Sequence, residues 1–269
     1  MGRADGTEFL RAGDEIRVPP FAIKDCAMPS EKKTGGGVFS MADLEKLREL
    51  IIHDDADIVA FFKPAGLATQ GGTGIKKSLD KMAAALFPYD NISLVHRLDR
   101  ETSGIIVCAK NAAAAKDLSA QFSNHTAHKQ YIAMLRGNIT QQHGTMDTMM
   151  TREMAHDPDD PRARRAITRY KILDNSNNFS WVEFSPLTGR NHQLRLHAAQ
   201  VLNAPIVGDP LFPPEDEKMI PTLGGGMFLC ATRISLRHPR SGKIMTLTTK
   251  LPEFMYGFAK LLGAADAIE

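Results

Sequence analysis

Along the chain, apolar side chains recur in short runs whose spacing alternates between helical and strand periods. Leu44, Leu47, Leu50 and Ile51 recur at three- and four-residue steps and share roughly one helical face. Ser40 suits the N-cap of that helix, with Asp43 in its first turn. Residues 58–62 form a continuous apolar run ended by Lys63-Pro64-Ala65-Gly66, which predicts a buried strand entering a turn. Residues 78–87 return to helical spacing, with Leu79, Met82, Ala83 and Leu86 on one face. Residues 104–109 predict a second buried strand and 112–122 another helix. Tyr131, Ala133 and Leu135 alternate along a third strand. Residues 166–173 and 179–184 predict a hairpin, with turn chemistry in Asn175, Asn177 and Asn178. Leu194, His197, Ala198, Val201 and Leu202 keep helical spacing. Residues 228–236 and 244–249 predict two strands around a turn at 238–242. No βαβ repeat organises these elements, so the class is α+β rather than doubly wound α/β.

The first 40 residues differ. Residues 8–20 predict a turn at 12–14 and a short strand stopped by Pro19-Pro20. Residues 25–40 hold Pro29, Ser30, Lys32, Lys33 and Gly35-Gly36-Gly37, which is linker composition. The expected organisation is therefore an incomplete module over 1–24, a linker over 25–40 and one main domain over 41–269.

Composition narrows the class further. The 269 residues are 43% hydrophobic and 24% charged, enough for a core without staples. No apolar run approaches the roughly 18 residues of a membrane span, and the N-terminus has no apolar signal region. Three cysteines, Cys26, Cys108 and Cys230, are far apart and predict a reduced, cytoplasmic chain. The net charge is only +2, but residues 94–200 carry 14 basic against 10 acidic side chains. That excess is densest at Arg162, Arg164, Arg165, Arg169 and Lys171. Such a run can follow a phosphate backbone or form a solvated face offset by Asp157, Asp159 and Asp160.

Three look-alikes carry no chemistry. The glycines at 71, 72 and 74 before Lys76-Lys77-Ser78 miss the phosphate-loop spacing. His192 and His197 are five apart with no third zinc ligand, so no metal is expected. Ser103 lacks the nucleophile-elbow context. The informative stretch is His96-Arg97-Leu98-Asp99-Arg100-Glu101-Thr102-Ser103-Gly104, a polar loop between apolar runs. Its one Asp between two arginines suits an ionised nucleophile or base, and equally an Arg–Asp lattice that stiffens the loop.

This stretch resembles the signature of the RluA-type pseudouridine synthases. Four other segments follow that family in order: Phe62-Lys63-Pro64-Ala65-Gly66, the strand from Lys129 to Gly137, the segment from Pro186 to His197, and the one from Leu229 to Gly242. The resemblance implies a pseudouridine synthase fold, with a central mixed, mostly antiparallel sheet, flanking helices and a cleft across it. It implies Asp99 as the catalytic residue, Tyr131 as the active-site tyrosine and Arg195 as the partner of Asp99 in a buried pair. Leu229 would contact the base, Arg97 would fill the space a displaced uridine leaves, and His96, Arg190 and Gln193 would hold substrate. Arg162, Arg164 and Arg165 would meet the RNA backbone. Thr69-Gln70-Gly71-Gly72-Thr73-Gly74 is similar to the members that act on large-subunit ribosomal RNA, the RluC type. Arg11-Ala12-Gly13-Asp14 through Pro20 resembles the last strand of the S4-like RNA-binding module those members carry, here incomplete. The implied partner is RNA, ribosomal first and tRNA as the alternative, with no cofactor and a monomeric enzyme. A glycosidase would need a second carboxylate, for which Glu101 is the only neighbour. A non-catalytic RNA-binding protein would have no use for Asp99.

Overall fold

The order of the elements follows the hydrophobic pattern closely from Met41 on. The fold is that of a computed structural model, and the structure describes residues 39–151, 160–213 and 226–268. These lie within one compact unit, Gly37–Glu269. The expected S4-like remnant over 1–24, and all but the last two residues of the expected linker, lie outside the described residues.

Helix α1 (Met41–Glu49) is closed at its start by a capping box, in which Ser40 and Asp43 satisfy each other's backbone N–H groups. Strand β1 (Ile51–Asp54) follows at once, so Ile51 belongs to the sheet rather than to the helical face expected for it. Then come β2 (Ile58–Lys63), α2 (Leu79–Leu86), β3 (Ser93–Leu94), β4 (Ser103–Ala109) and α3 (Ala112–Ser123). Strands β5 (His128–Arg136), β6 (His143–Met150), β7 (Arg164–Ser176) and β8 (Phe179–Pro186) build the second half of the sheet. Helix α4 (Gln193–Leu196) runs into a π-helical turn (His197–Val201), and β9 (Leu229–Arg237), β10 (Ile244–Thr248), α5 (Glu253–Leu262) and α6 (Ala265–Ile268) complete the chain.

The ten-stranded sheet runs β1-β2-β4-β9-β5-β8-β7-β6, with β10 beside β9 and β3 beside β4. Every pairing is antiparallel except β4 with β9. The mixed, mostly antiparallel α+β expectation therefore holds. At the β4–β9 junction the backbones meet so closely that a Cβ on Gly104 would lie 2.3 Å from the Ala231 carbonyl oxygen. Gly104 also sits at φ +112, so only glycine fits the end of the Asp99 loop.

Two cores explain the two hydrophobic patterns. Val59, Phe61, Ile106 and Cys108 face the larger core, whereas Ile58, Ala60, Ile105 and Val107 face a second one beneath α3. Strands buried on both faces need continuous apolar runs, which is what β2 and β4 carry. Strand β7 instead alternates, with Ala166, Thr168 and Tyr170 buried and Arg165, Arg169 and Lys171 exposed. The outer face of this half of the sheet is open to solvent.

The hairpin is longer than its apolar residues suggested, and its turn places Asn177 and Asn178 at φ 52 and 65, which asparagine tolerates. The helical spacing at 194–202 is realised with a bond from the Leu202 N–H to the His197 carbonyl, one residue beyond the α-helical step. Strands β1, β3 and β6 and helices α5 and α6 have no counterpart in the predicted elements. Among the described residues no helix is long and apolar enough to cross a membrane.

Candidate active site

Asp99 lies on the loop between β3 and β4, and the loop is tied down from beneath. Thr69 Oγ1 donates to the Leu98 carbonyl at 2.6 Å and accepts from the Leu98 N–H at 3.3 Å. The Gly66 N–H donates to the Arg100 carbonyl at 2.8 Å, and Arg100 Nε donates back to the Gly66 carbonyl at 3.0 Å. Lys63 supplies the centre of this clamp. It is fully buried, and its ammonium donates to the carbonyls of Pro64, Leu67 and Arg100 at 3.0, 2.8 and 3.0 Å. Three N–H groups meet three carbonyl oxygens, joining the turn after β2 to the residue next to Asp99.

Burial lowers the Lys63 pKa to about 8, although Glu101 and Asp99 pull it upward. The unfolded chain holds this proton up to about pH 10.4, so between the two values the unfolded state binds more protons. Stability from this group therefore rises with pH through that window. The clamp behaves in the opposite sense, because a neutral amine has only two donors for three carbonyls. Turnover is expected to decline as pH passes about 8 without a matching loss of thermal stability. Lys63→Met should be poorly active and lack that inflection; an unchanged inflection in the variant would refute the assignment.

The cation opposite Asp99 comes from α4. Arg195 is 2% exposed, and Nη1 lies 3.6 Å from Asp99 Oδ2. Its other two nitrogens are held by Asp209: Nε donates to Oδ2 at 2.8 Å, and Nη2 donates to Oδ1. The Asp209 side chain is fully buried, and its Oδ1 also accepts from the Leu211 N–H. Nη1 further donates to His192 Nδ1 at 2.8 Å. An arginine can only donate, so His192 Nδ1 is the acceptor and its proton resides on Nε2. His192 lies 3.8 Å from Asp99 Oδ2 and holds φ 53 at the start of α4.

The expected buried Asp99–Arg195 pair is therefore corrected in two respects. Asp99 is 27% exposed, because it opens into a cleft, and the buried partner of Arg195 is Asp209. The flanking arginines do not embrace Asp99 either. Arg100 turns to Gly66, Arg97 is exposed, and the ion pair of Asp99 is with Arg195.

The cleft has a volume of ≈ 860 Å³ and is lined by Asp99, Tyr131, Arg195 and Leu229 together with Arg97, Lys129 and Arg190. Tyr131 and Leu229 are buried to 9% and 3% exposure on the paired strands β5 and β9, so the cleft crosses the centre of the sheet. Burial, reinforced by the charge of Asp99, raises the Tyr131 pKa above its ordinary value and keeps the phenol protonated. One carboxylate therefore faces a guanidinium, a phenol and an apolar wall in a space large enough for a nucleotide. Among the described residues the one group with metal-ligand spacing is Asp55, Asp57 and His238, outside this cleft. Asp55 already accepts from the Asp57 and Ile58 N–H groups, and Asp57 is paired with Arg240.

Residues 57–200 match the family model described as RNA pseudouridylate synthase. The chain belongs to this family. It is 39% identical to the ribosomal large subunit pseudouridine synthase C of Rickettsia bellii over 94% of this chain and 84% of that protein. It is 34% identical to the mitochondrial RNA pseudouridine synthase 4 of Arabidopsis thaliana over 78% of this chain and 50% of that protein. Among solved structures, human RNA pseudouridylate synthase domain containing 4 superposes with a TM-score of 0.70 at 25% identity, covering 82% of this chain and 95% of that one. The protein is thus an RNA pseudouridine synthase, an isomerase.

Within this synthase, the expected substrate residues His96, Arg190 and Gln193 line the cleft and also make bonds that hold it together. His96 Nε2 accepts from the Val107 N–H at 2.9 Å, and its ring stacks on Phe122 at 4.3 Å. Burial, with help from Lys129, lowers its pKa to about 3, so it is neutral. Gln193 has its amide committed: Oε1 accepts from Thr188 Oγ1 and the Arg190 N–H, and Nε2 donates to the Ile167 carbonyl and Thr168 Oγ1. Arg190 lines the cleft while its Nε donates to the Arg165 carbonyl. Of the arginines expected on the RNA backbone, Arg162 is paired with Asp160 and Arg165 with Asp147. Arg164 is exposed and donates to the carbonyls of Pro161 and Ala163. Local carboxylates thus neutralise two of the three, which favours a solvated face for that cluster. Cys108 and Cys230 are free thiols pushed up to about 12 by burial.

Asp209, Lys63 and Thr69 are the residues that pattern reading did not assign. Lys63 and Thr69 lie within the segments that resemble the family, and their polarity beside apolar strands was the available signal. Asp209 follows Gly208, which sits at φ +75, where an added Cβ would lie 2.5 Å from the Gly226 carbonyl oxygen.

Proposed function

We propose that this synthase isomerises a specific uridine of large-subunit ribosomal RNA, with Asp99 as the catalytic residue. The observation that carries the chemical part is the single carboxylate of Asp99 at the mouth of the cleft, 3.6 Å from the Arg195 guanidinium. The ribosomal part is supported by the Rickettsia bellii relative, whose name gives that substrate.

Isomerisation breaks the C1′–N1 bond, turns the uracil and joins C1′ to C5. The C5 proton leaves and N1 gains one, so atoms balance without a redox step or a co-substrate. Asp99 acts on the sugar or the base, as nucleophile or as proton acceptor. Arg195 stabilises its charge and fixes its direction. Tyr131 offers a stacking face and, being protonated, a hydrogen-bond donor. Leu229 covers the opposite face of the base, and Arg97 at the rim occupies the place of the displaced nucleotide.

Pseudouridine mapping in cells with and without the protein tests this. The expected result is loss of modification at a uridine of large-subunit ribosomal RNA. Loss confined to tRNA would move the substrate to the alternative reading, and no loss in any RNA would overturn the proposal.

A further inference from the structure

A second cavity of ≈ 350 Å³ lies on the open outer face of the sheet and meets the catalytic cleft at Lys129 and Pro186, which line both. Cross-strand register sets its floor. Arg233 of β9 pairs with Gln130 of β5, and Ser185 of β8 pairs with Arg169 of β7. Strands β9, β5, β8 and β7 are consecutive, so three steps of about 4.8 Å separate the two arginines by roughly 14 Å. His128 and Ser235, themselves a cross-strand pair, close one end.

Several surface arginines elsewhere, unlike those of the groove, are already paired. Among the described residues, Arg48, Arg162, Arg165, Arg237 and Arg240 each hold a carboxylate. Arg169 and Arg233 are exposed and make no such pair, and burial lowers the pKa of Lys129 with no carboxylate to offset it. Glu183 approaches only as far as Gln130, at 3.5 Å, and does not line the cavity. Cations gathered around a groove without counter-charges repel one another and attract an external anion. Continuity with a cleft that takes a polynucleotide identifies that anion as the next stretch of the same strand.

We propose that this groove binds the phosphodiester backbone of the substrate RNA beyond the target uridine. Lys129 meets the phosphate at the exit of the catalytic cleft, and Arg169 and Arg233 meet phosphates on the outer face. The inference rests on the RNA-modifying reading of the cleft. It adds a backbone-binding track on the face of the sheet opposite Tyr131.

The test is RNA affinity as a function of salt for Arg169→Gln/Arg233→Gln, with Arg237→Gln/Arg240→Gln as a control of equal charge change. Both groove positions are exposed, so the fold is retained. Two lost phosphate contacts should reduce the log–log salt slope by about 1.4–1.8 and weaken binding about tenfold or more at moderate salt, the loss appearing in KM. The control should keep the wild-type slope. A groove variant with the wild-type slope, or a control that loses as much, would overturn the proposal. Failure of the wild-type protein to isomerise uridine in any RNA would instead count against the function, and the salt slopes would still decide the groove.

Discussion

Asp99→Asn is expected to abolish pseudouridine formation while RNA affinity stays within a few-fold of wild type. The substitution preserves shape and removes only the charge and basicity that bond cleavage at C1′ requires. Asp99 is the carboxylate that the cleft presents to a guanidinium, and the nearby acid Asp209 is fully buried behind Arg195. Among the described residues that line the cleft, no second carboxylate stands ready to substitute. Phosphate contacts supply most of the binding energy in complexes of this kind, so affinity is insulated from the change. Release of tritium from RNA labelled at uracil C5 measures the reaction directly, since that hydrogen must leave. Turnover by the variant at roughly a tenth of wild type or more would exclude Asp99 as the catalytic residue.

Asp209→Ala is the second large effect expected, and it acts through Arg195. The guanidinium is 2% exposed, and two of its nitrogens are satisfied by Asp209 alone. Removing one partner of a buried pair typically costs about 3–5 kcal/mol, because the remaining charge is left without compensation. In a domain of this size each kcal/mol moves the thermal midpoint by about 2–4 °C, so a fall of roughly 10 °C is expected. Asp209→Asn keeps the volume and one acceptor oxygen and should lose less stability. It should nevertheless lose turnover, since Arg195 is then free to rotate away from Asp99. A stable, fully active Asp209→Asn variant would show that the orientation of Arg195 is secured elsewhere.

Much of the fold was legible because burial on one or two faces writes itself into spacing. Strands β2 and β4 are buried on both sides and so appear as unbroken apolar runs, while β5 carries Tyr131, Ala133, Met134 and Leu135 into the larger core. Strand β6 escaped because it is an edge strand in which Met146 and Met150 alone are buried hydrophobics. Helix α5 buries only Met255 and Ala259 and carries Gly257 in its middle, which weakens its helical signature.

The division at the site follows the same physics. Residues 96–104, with the Arg195 and Tyr131 segments, identified the reaction class from the chain alone, because chemistry constrains residue type at short spacing. The sequence also placed Gly104 where the loop must end. Tertiary structure alone decided which groups neutralise which. Arg97 and Arg100 are neighbours of Asp99 in the chain but form no ion pair with it, whereas Arg195 and Asp209 arrive from distant segments. It likewise separated the paired Arg162 and Arg165 from the unpaired Arg169 on one run of sequence, since their partners Asp160 and Asp147 are chosen by strand register and loop path. Charge pairing depends on distances through space of a few ångströms, and the one-dimensional order of residues carries that information only where the pair is local.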